Sequence, residues 1–403
     1  MNQVYSEIGR LKTVLLHRPG RELENLTPSI LEKLLFDDIP FLEIARQEHD
    51  AFANALRSKG VEVVYLVDLV VETLQAHPDQ RESFINRFIT EAKVAATSIR
   101  AALFDKLQAY PLRTMVEMMI QGIRTYDIHV KKAPSIMDGL IDEYPFYTDP
   151  MPNILFQRDP FASIGQGVTI NRMSTSTRQR ETLFSDLILR YHPRFKKPED
   201  RIYFSRDDRY SLEGGDILVL NEKTLAIGIS KRTDPRAIER VAETVFAANE
   251  RFETVLALNI PKTRAFMHLD TVLTQIDHHL FAIHPGIMKT LTLFEVKRGE
   301  SGLSIRKVVT DLETLLRETL GRDIEFVYCG GEDIVHSERE QWNDGANTLA
   351  VHPGCVIVYS RNYITNGILR AKGVEVIEIP SSELSRGRGG PRCMSMPIHR
   401  EDL

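Results

Sequence analysis

Cysteine is scarce: the 403 residues contain three, Cys329, Cys355 and Cys393. An odd, widely spaced set of three argues against a disulfide framework and for a reducing, cytoplasmic setting. No run of eighteen apolar residues occurs, so no bilayer-spanning helix is expected. Met1 to Lys12 lacks the charged-then-apolar order of a signal peptide. Neither sign of charge dominates. The 51 Lys and Arg stand against 56 Asp and Glu, a net charge of −5, which offers no electrostatic footprint for nucleic acid or an anionic membrane. Apolar residues at 42% and charged residues at 27% exclude a disordered or collagen-like chain. Glycine is missing between Gly60 and Gly122. There, Glu82–Leu107 and Leu112–Gly122 carry helix formers with apolar residues at helical spacing, so Val70 to about Met137 reads as a helical insertion.

One eight-residue stretch recurs. Leu56-Arg57-Ser58-Lys59-Gly60-Val61-Glu62-Val63 returns as Leu369-Arg370-Ala371-Lys372-Gly373-Val374-Glu375-Val376. Both copies read as a helix end, a glycine stop and a Val-rich strand. Around them the chain alternates short apolar strands with amphipathic helices. First strands are expected at Thr13–His17, Ile154–Phe156, Leu225–Ile229, Leu280–Ile283 and Val356–Tyr359. Helices are expected at Ile44–Arg57, Arg178–Tyr191, Pro235–Ala248, Ser304–Leu320 and Tyr363–Ala371. Second strands are expected at Val61–Leu66, Arg201–Phe204, Thr254–Leu258, Ile324–Tyr328 and Val374–Ile379. A doubly wound sheet would alternate in the same way. The likeness of the first and last units favours five units closing a ring, with polar clusters on the loops that leave the second strands.

Four clusters carry candidate chemistry. Ser385-Arg386-Gly387-Arg388-Gly389-Gly390-Pro391-Arg392-Cys393 is a glycine-rich loop ending in cysteine, where flanking arginines are expected to favour the nucleophilic thiolate. Cys329 and Cys355 sit in or beside apolar strands and read as core residues. In His268-Leu269-Asp270, read as a strand, the outer side chains share a face and suit acid–base work. A metal site with His278, His279 and His284 competes, although the spacing matches no zinc motif. Glu213-Gly214-Gly215-Asp216 lets two carboxylates converge across a turn. Asn153-Ile154-Leu155-Phe156-Gln157-Arg158-Asp159-Pro160 places an amide, a ring and a carboxylate at a strand end. Arg178 and Arg232 complete the set. Carboxylates with one Cys and one His suit a cationic, planar guanidinium. Its carbon resists attack unless a strong nucleophile meets it while fixed anions hold it.

Phe156-Gln157-Arg158-Asp159-Pro160, Glu213-Gly214-Gly215-Asp216, His268-Leu269-Asp270 and the loop ending in Cys393 occur in the order of the bacterial arginine deiminases. The chain resembles that family, of the guanidino-group-modifying superfamily, nearly end to end. The resemblance implies an α/β fold, a five-bladed pseudo-symmetric α/β propeller forming one catalytic unit over 1–403, with a helical insertion over 70–148. It implies hydrolysis of L-arginine to L-citrulline and ammonia without metal or organic cofactor, in the cytoplasm, by a homo-oligomer (dimer or larger). On this resemblance Cys393 is the nucleophile and forms a thiouronium adduct. His268 is the acid and base, Asp159 and Asp270 hold the guanidinium, and Glu213 helps hold it and orients His268. Asn153, Phe156, Arg178, Asp216, Arg232 and Gly387 fall at substrate-binding positions, with Arg178 and Arg232 at the α-carboxylate. Arg388 matches a mobile arginine that closes the site, and Leu35–Ile44 a gating loop. Pro391 and Arg392 receive no role. An amidinotransferase passing the amidino group to an amine, and a non-catalytic arginine-binding protein, are the alternatives.

Overall fold

Alternating strands and helices build five sheets of one plan in the computed structural model, which describes residues 3–128, 144–248, 250–263, 266–288 and 290–403. In each sheet a first strand runs antiparallel to a second. The second is parallel to a third, reached through a crossover that carries a helix. The second sheet is Phe161–Ile164, Gly167–Ile170 and Ile202–Phe204, crossed by helix Glu181–Tyr191. The third is Ile217–Asn221, Thr224–Ile229 and Thr254–Asn259, with helix Pro235–Ala247. The fourth is Leu273–Gln275, Leu280–Ile283 and Glu325–Tyr328, with helix Leu312–Leu320. The fifth is Leu349–His352, Cys355–Tyr359 and Glu375–Ile379, with helix Tyr363–Ala371. In the first sheet Leu11–Leu16 is parallel to Glu62–Tyr65 across helix Leu42–Ser58, and its antiparallel partner is Met396–Arg400, from the far end of the chain.

Three expected elements differ. Ile154–Phe156 is not a strand but the end of the 3-10 turn Pro152–Leu155. Pro152 opens the turn with a fixed φ, and Pro160 cannot donate to a ladder, so pairing begins only at Phe161. Ile154, Leu155 and Phe156 are apolar because they are buried. Ser304–Leu320 divides: Gly302–Val308 forms a hairpin with Thr292–Gly299 at the edge of the third sheet, and the helix starts at Leu312. Asp311 sets that start by accepting from Thr314 N at 2.8 Å. His268–Asp270 is not a strand either. His268 is extended, and Leu269–Thr271 is a 3-10 turn.

The repeated octapeptide has a physical cause. Gly60 and Gly373 adopt φ of +78° and +81°, and open space lies where a Cβ would stand. The helix stop therefore needs glycine for its backbone conformation and not for room. Lys59 pairs with Glu375 of the fifth sheet, and Lys372 with Glu325 of the fourth. Each copy latches its sheet to a neighbour through exposed pairs worth roughly 0–1 kcal/mol each.

The glycine-free stretch is helical, as its composition predicts, at Leu66–Ala76, Gln80–Glu91, Thr97–Ala109 and Leu112–Gln121. Ile123–Arg124 then pairs with Phe146–Thr148. Met137, taken as the end of the insertion, lies outside the described residues. Leu69, Phe84, Phe88, Leu103 and Met115 share one buried cluster with Phe161, Ile164, Val168 and Phe184, so these helices cover the second sheet.

Candidate active site

Every sequence motif singled out for chemistry lies on a loop that leaves the third strand of one sheet, or the helices after it, and enters the first strand of the next. Asp159 precedes Phe161, Glu213 to Asp216 precedes Ile217, His268 to Asp270 precedes Leu273, and Cys393 precedes Met396. Asn347, ahead of Leu349, occupies the corresponding place at the fifth sheet. One recurring topology thus delivers five loop ends to one centre.

His268 Nε2 lies 2.8 Å from Glu213 Oε2, and Nδ1 lies 3.8 Å from Asp159 Oδ1. Glycine makes this approach possible. A side chain on Gly215 would fall 2.8 Å from the His268 ring and 3.0 Å from Asp159 Oδ1. The other oxygen of Glu213 accepts from Ser174 N and Oγ at 2.9 and 2.8 Å. Burial alone would raise the Glu213 pKa, but Arg232, His268 and Arg178 outweigh it and hold the carboxyl well below its usual range. Burial likewise opposes charge on His268. Asp159, the hydrogen bond to Glu213 and Asp216 overcome it and push the imidazole up to about 9.

Cys393 Sγ sits 3.6 Å from Asp270 Oδ2. Its amide donates to Asn347 Oδ1 at 3.0 Å and its carbonyl accepts from Arg158 N at 3.0 Å, while Asn347 Nδ2 holds the Asp270 carbonyl at 2.9 Å. The expected arginine-stabilised thiolate is not what this state holds. Burial and the carboxyl groups of Asp270, Asp159 and Asp344 push the thiol well above its ordinary value, outweighing the opposing charge of Arg392. Arg386 is turned to Asp38, and Arg388 lies 3.5 Å over the Trp342 ring and 3.4 Å from Asp37.

Arg392, left without a role in the sequence, is fully buried. Its guanidinium meets Asp270 at 2.8 Å, both oxygens of Glu7 at 3.0 and 3.1 Å, and the Ile217 carbonyl at 2.8 Å. Glu7, Asn347 and Ser174 were likewise not picked out. Only Asn347 had a readable signal, its place in the recurring strand order. The others stand far along the chain from the motifs they serve.

Other expected binding residues are largely engaged within the protein. Arg178 bonds Asp159 Oδ2 at 2.8 Å, Glu181 at 2.9 Å and the Asn153 carbonyl at 3.2 Å. Asn153 Nδ2 holds the Leu34 carbonyl at 2.6 Å. Asp216 accepts from Ser230 Oγ and Thr233 Oγ1, both at 2.7 Å, and from Leu269 N at 2.8 Å, so both its oxygens are turned to the protein. Arg232 Nη1 is buried, 3.8 Å from Glu213, without a hydrogen-bond partner. A side chain on Gly387 would lie 2.9 Å from the Phe156 ring and 3.0 Å from that of Phe36. The expected gate contributes Phe36, Asp37 and Asp38 to this cover, but Leu42 to Ile44 already belong to the helix Leu42–Ser58.

Asp159, Glu213 and His268 each place one donor atom within 4.8 Å of the others, a spacing a cation could use. Their chemistry opposes it, because an imidazole held protonated has no lone pair on either nitrogen, and Arg178 and Arg232 already neutralise the carboxylates. His278 and His279 do not join this group among the described residues, and His284 accepts from Gly286 N at the turn Pro285–Ile287.

The fold is shared with solved structures of low sequence identity. An amidinotransferase of saxitoxin biosynthesis from Microseira wollei matches with a TM-score of 0.56 at 14% identity, covering 100% of this chain and 98% of that one. Pseudomonas aeruginosa dimethylarginine dimethylaminohydrolase, a cysteine-to-serine mutant complexed with citrulline, matches at 0.52 with 16% identity, covering 96% and 99%. These matches define the fold class, a mixed α/β fold shared with those two proteins. The arginine deiminase family model matches residues 32–400. The chain is 51% identical over 405 residues to the arginine deiminase of Clostridium perfringens and 52% identical over 402 residues to that of Borrelia duttonii, in both cases covering 99% of this chain and 98% of the relative. The chain belongs to the arginine deiminase family.

Proposed function

We propose that this site carries out the family's reaction, hydrolysis of L-arginine to L-citrulline and ammonia, by covalent catalysis at Cys393. One observation supports this reading above the rest. Asp159 Oδ1 and Asp270 Oδ1 are buried without a hydrogen-bond partner, one beside His268 and the other on the carboxylate next to the Cys393 sulfur. Unpaired buried carboxylate oxygens are costly, and a planar guanidinium bridging them removes the cost with charge-assisted bonds.

The substrate cation also brings positive charge beside the sulfur, so the Cys393 thiol gives its proton to solvent and the thiolate forms as arginine enters. It attacks the guanidinium carbon. Protonated His268, poised by Glu213, gives its proton to the departing ammonia and then takes one from the water that cleaves the thiouronium. Arg232, with its unpartnered buried nitrogen, meets the α-carboxylate. Asp216 positions Arg232 through Ser230, whose hydroxyl accepts from Arg232 N at 2.9 Å. Arg178 holds Asp159, and a substrate carboxylate reaches it only as Glu181 yields. Phe156, Asn153 and Gly387 shape the wall, and Arg388 closes it. No step calls for a metal or organic cofactor.

The test is direct. Incubation with arginine is expected to yield citrulline and ammonia in equal amounts, unchanged by a chelator, and with no new guanidino product when glycine or ornithine is added. A folded sample that makes no citrulline would overturn the assignment.

The imidazole also makes a pH signature. His268 binds its proton more tightly in the folded state, about 9 against 6.5 unfolded. Its stabilising effect is complete below about 6.5 and is lost as pH rises through 9, a change of roughly 3 kcal/mol. Urea unfolding should therefore show the stability gap between the native protein and His268→Gln narrowing across that window. A gap that stays constant from pH 6 to 10 contradicts the pairing.

The five like-built sheets, the first completed by Met396–Arg400, support a pseudo-symmetric five-bladed α/β propeller, one catalytic unit over 1–403 with a helical insertion over 70–148. Three free thiols support a cytoplasmic protein. Among the described residues no helix is long and apolar enough to cross a membrane. The family resemblance supports a homo-oligomer.

A further inference from the structure

Three adjacent strands of the fifth sheet bring His352, Cys355 and Glu375 into one row. His352 pairs with Cys355 across the hairpin, and Cys355 pairs with Glu375 on the parallel strand. Residues paired across neighbouring strands project to the same face. A ring nitrogen, the sulfur and a carboxylate oxygen lie within 4.8 Å of one another. The ring is also pre-oriented. His352 Nδ1 lies 3.1 Å from the Pro353 carbonyl, which can only accept, so in the neutral ring Nδ1 bears the proton and Nε2 the lone pair. Nε2 is the atom that faces Glu375 Oε2, at 3.9 Å. A ring N–H anchored on a backbone carbonyl is the outer support that metal-binding histidines use. Lys59 occupies the other carboxylate oxygen, Oε1, and leaves Oε2 to the row. Cys355 is buried, His352 is half-buried and Glu375 exposed, so solvent reaches the row from one side.

We propose that His352 Nε2, Cys355 Sγ and Glu375 Oε2 form a binding site for a thiophilic divalent cation of the zinc type, with water as the fourth ligand. On binding, the Cys355 S–H bond is exchanged for a sulfur–metal bond. The proton leaves to solvent and no electron is transferred. Metal–ligand bonds of about 2.0–2.3 Å require the three donors to draw together by roughly 1 Å, which rotation of the half-buried His352 and exposed Glu375 side chains supplies. The site is remote from the arginine chemistry. It lies at the start of the strand Cys355–Tyr359, whose other end reaches the catalytic loop through the Tyr359 hydroxyl on the Gly389 carbonyl at 2.7 Å.

Cobalt(II) added to the full-length protein tests this, read by its thiolate-to-metal absorption. The native protein and Cys393→Ala are expected to bind one cobalt with that band, and equimolar zinc should displace it. Cys355→Ser should lose the band, and His352→Ala should bind at least about tenfold more weakly. Lys59→Ala, a surface change that frees the second oxygen of Glu375, should bind about two- to fivefold more tightly. Thermal melting confirms that each variant is folded. A band that survives in Cys355→Ser, one that vanishes in Cys393→Ala, or none in the native protein at millimolar cobalt overturns the proposal. The second of these outcomes would place the metal at the catalytic cysteine.

Discussion

Cys393→Ala is expected to lower citrulline formation by about four orders of magnitude or more while the protein still binds arginine. The size follows from what is removed. Without the sulfur no covalent adduct can form, and the electrophile is a resonance-stabilised cation that water attacks very poorly. Binding persists because Asp159 and Asp270 keep their unpartnered oxygens. It should tighten modestly, since the site's cation no longer shares Asp270 with a thiol 3.6 Å away. Calorimetry and a citrulline assay on the same sample separate the two effects. Native protein quenched during turnover should carry an amidino adduct on Cys393, and arginine should protect that thiol from alkylation. An alanine variant within tenfold of native activity, or an adduct on Cys329 or Cys355, would defeat the mechanism.

Arg392→Ala is expected to cost about 3–5 kcal/mol of stability, the usual consequence of stranding buried partners, and most of the activity with it. Glu7 and Asp270 would both be left as buried anions. Asp270, one half of the guanidinium clamp, would lose the bond that sets its orientation. Arg392→Lys should rescue little. The native guanidinium serves Glu7, Asp270 and the Ile217 carbonyl at once, and a single ammonium cannot reproduce that planar fork. Glu7→Gln keeps a hydrogen-bonding oxygen and should cost less, with the loss read in kcat more than in KM if its role is to position Asp270. Urea unfolding with steady-state kinetics decides this. A lysine variant as stable and active as the native protein would show that the network does not hold the clamp.

Much of the architecture was legible because it depends on local periodicity. Leu280–Ile283 and Tyr363–Ala371 form where hydrophobic spacing placed them, and the glycine-free stretch is helical. Errors fell where burial imitates a strand. Ile154–Phe156 is apolar because it lines the interior, yet two prolines keep it out of a ladder. Residues 302–308 carry a short pattern that suits either period, and pairing with Thr292–Gly299 decided between them.

The residue types at the centre were readable because chemistry restricts them. A nucleophile, an acid–base and two anions for a guanidinium admit few substitutes, and each recurs at the same point of a repeated topology. Their electrostatic state was not readable. Arginines adjacent to Cys393 in the chain suggested a thiolate, but in space Arg386 and Arg388 pair with Asp38 and Asp37, and two of the carboxylates that act on the sulfur, Asp270 and Asp159, come from loops more than a hundred residues away. Adjacency along the chain fixes which groups are available. Charge interaction falls with distance through the folded, poorly screened interior, so the tertiary structure alone decided which of them the cysteine feels.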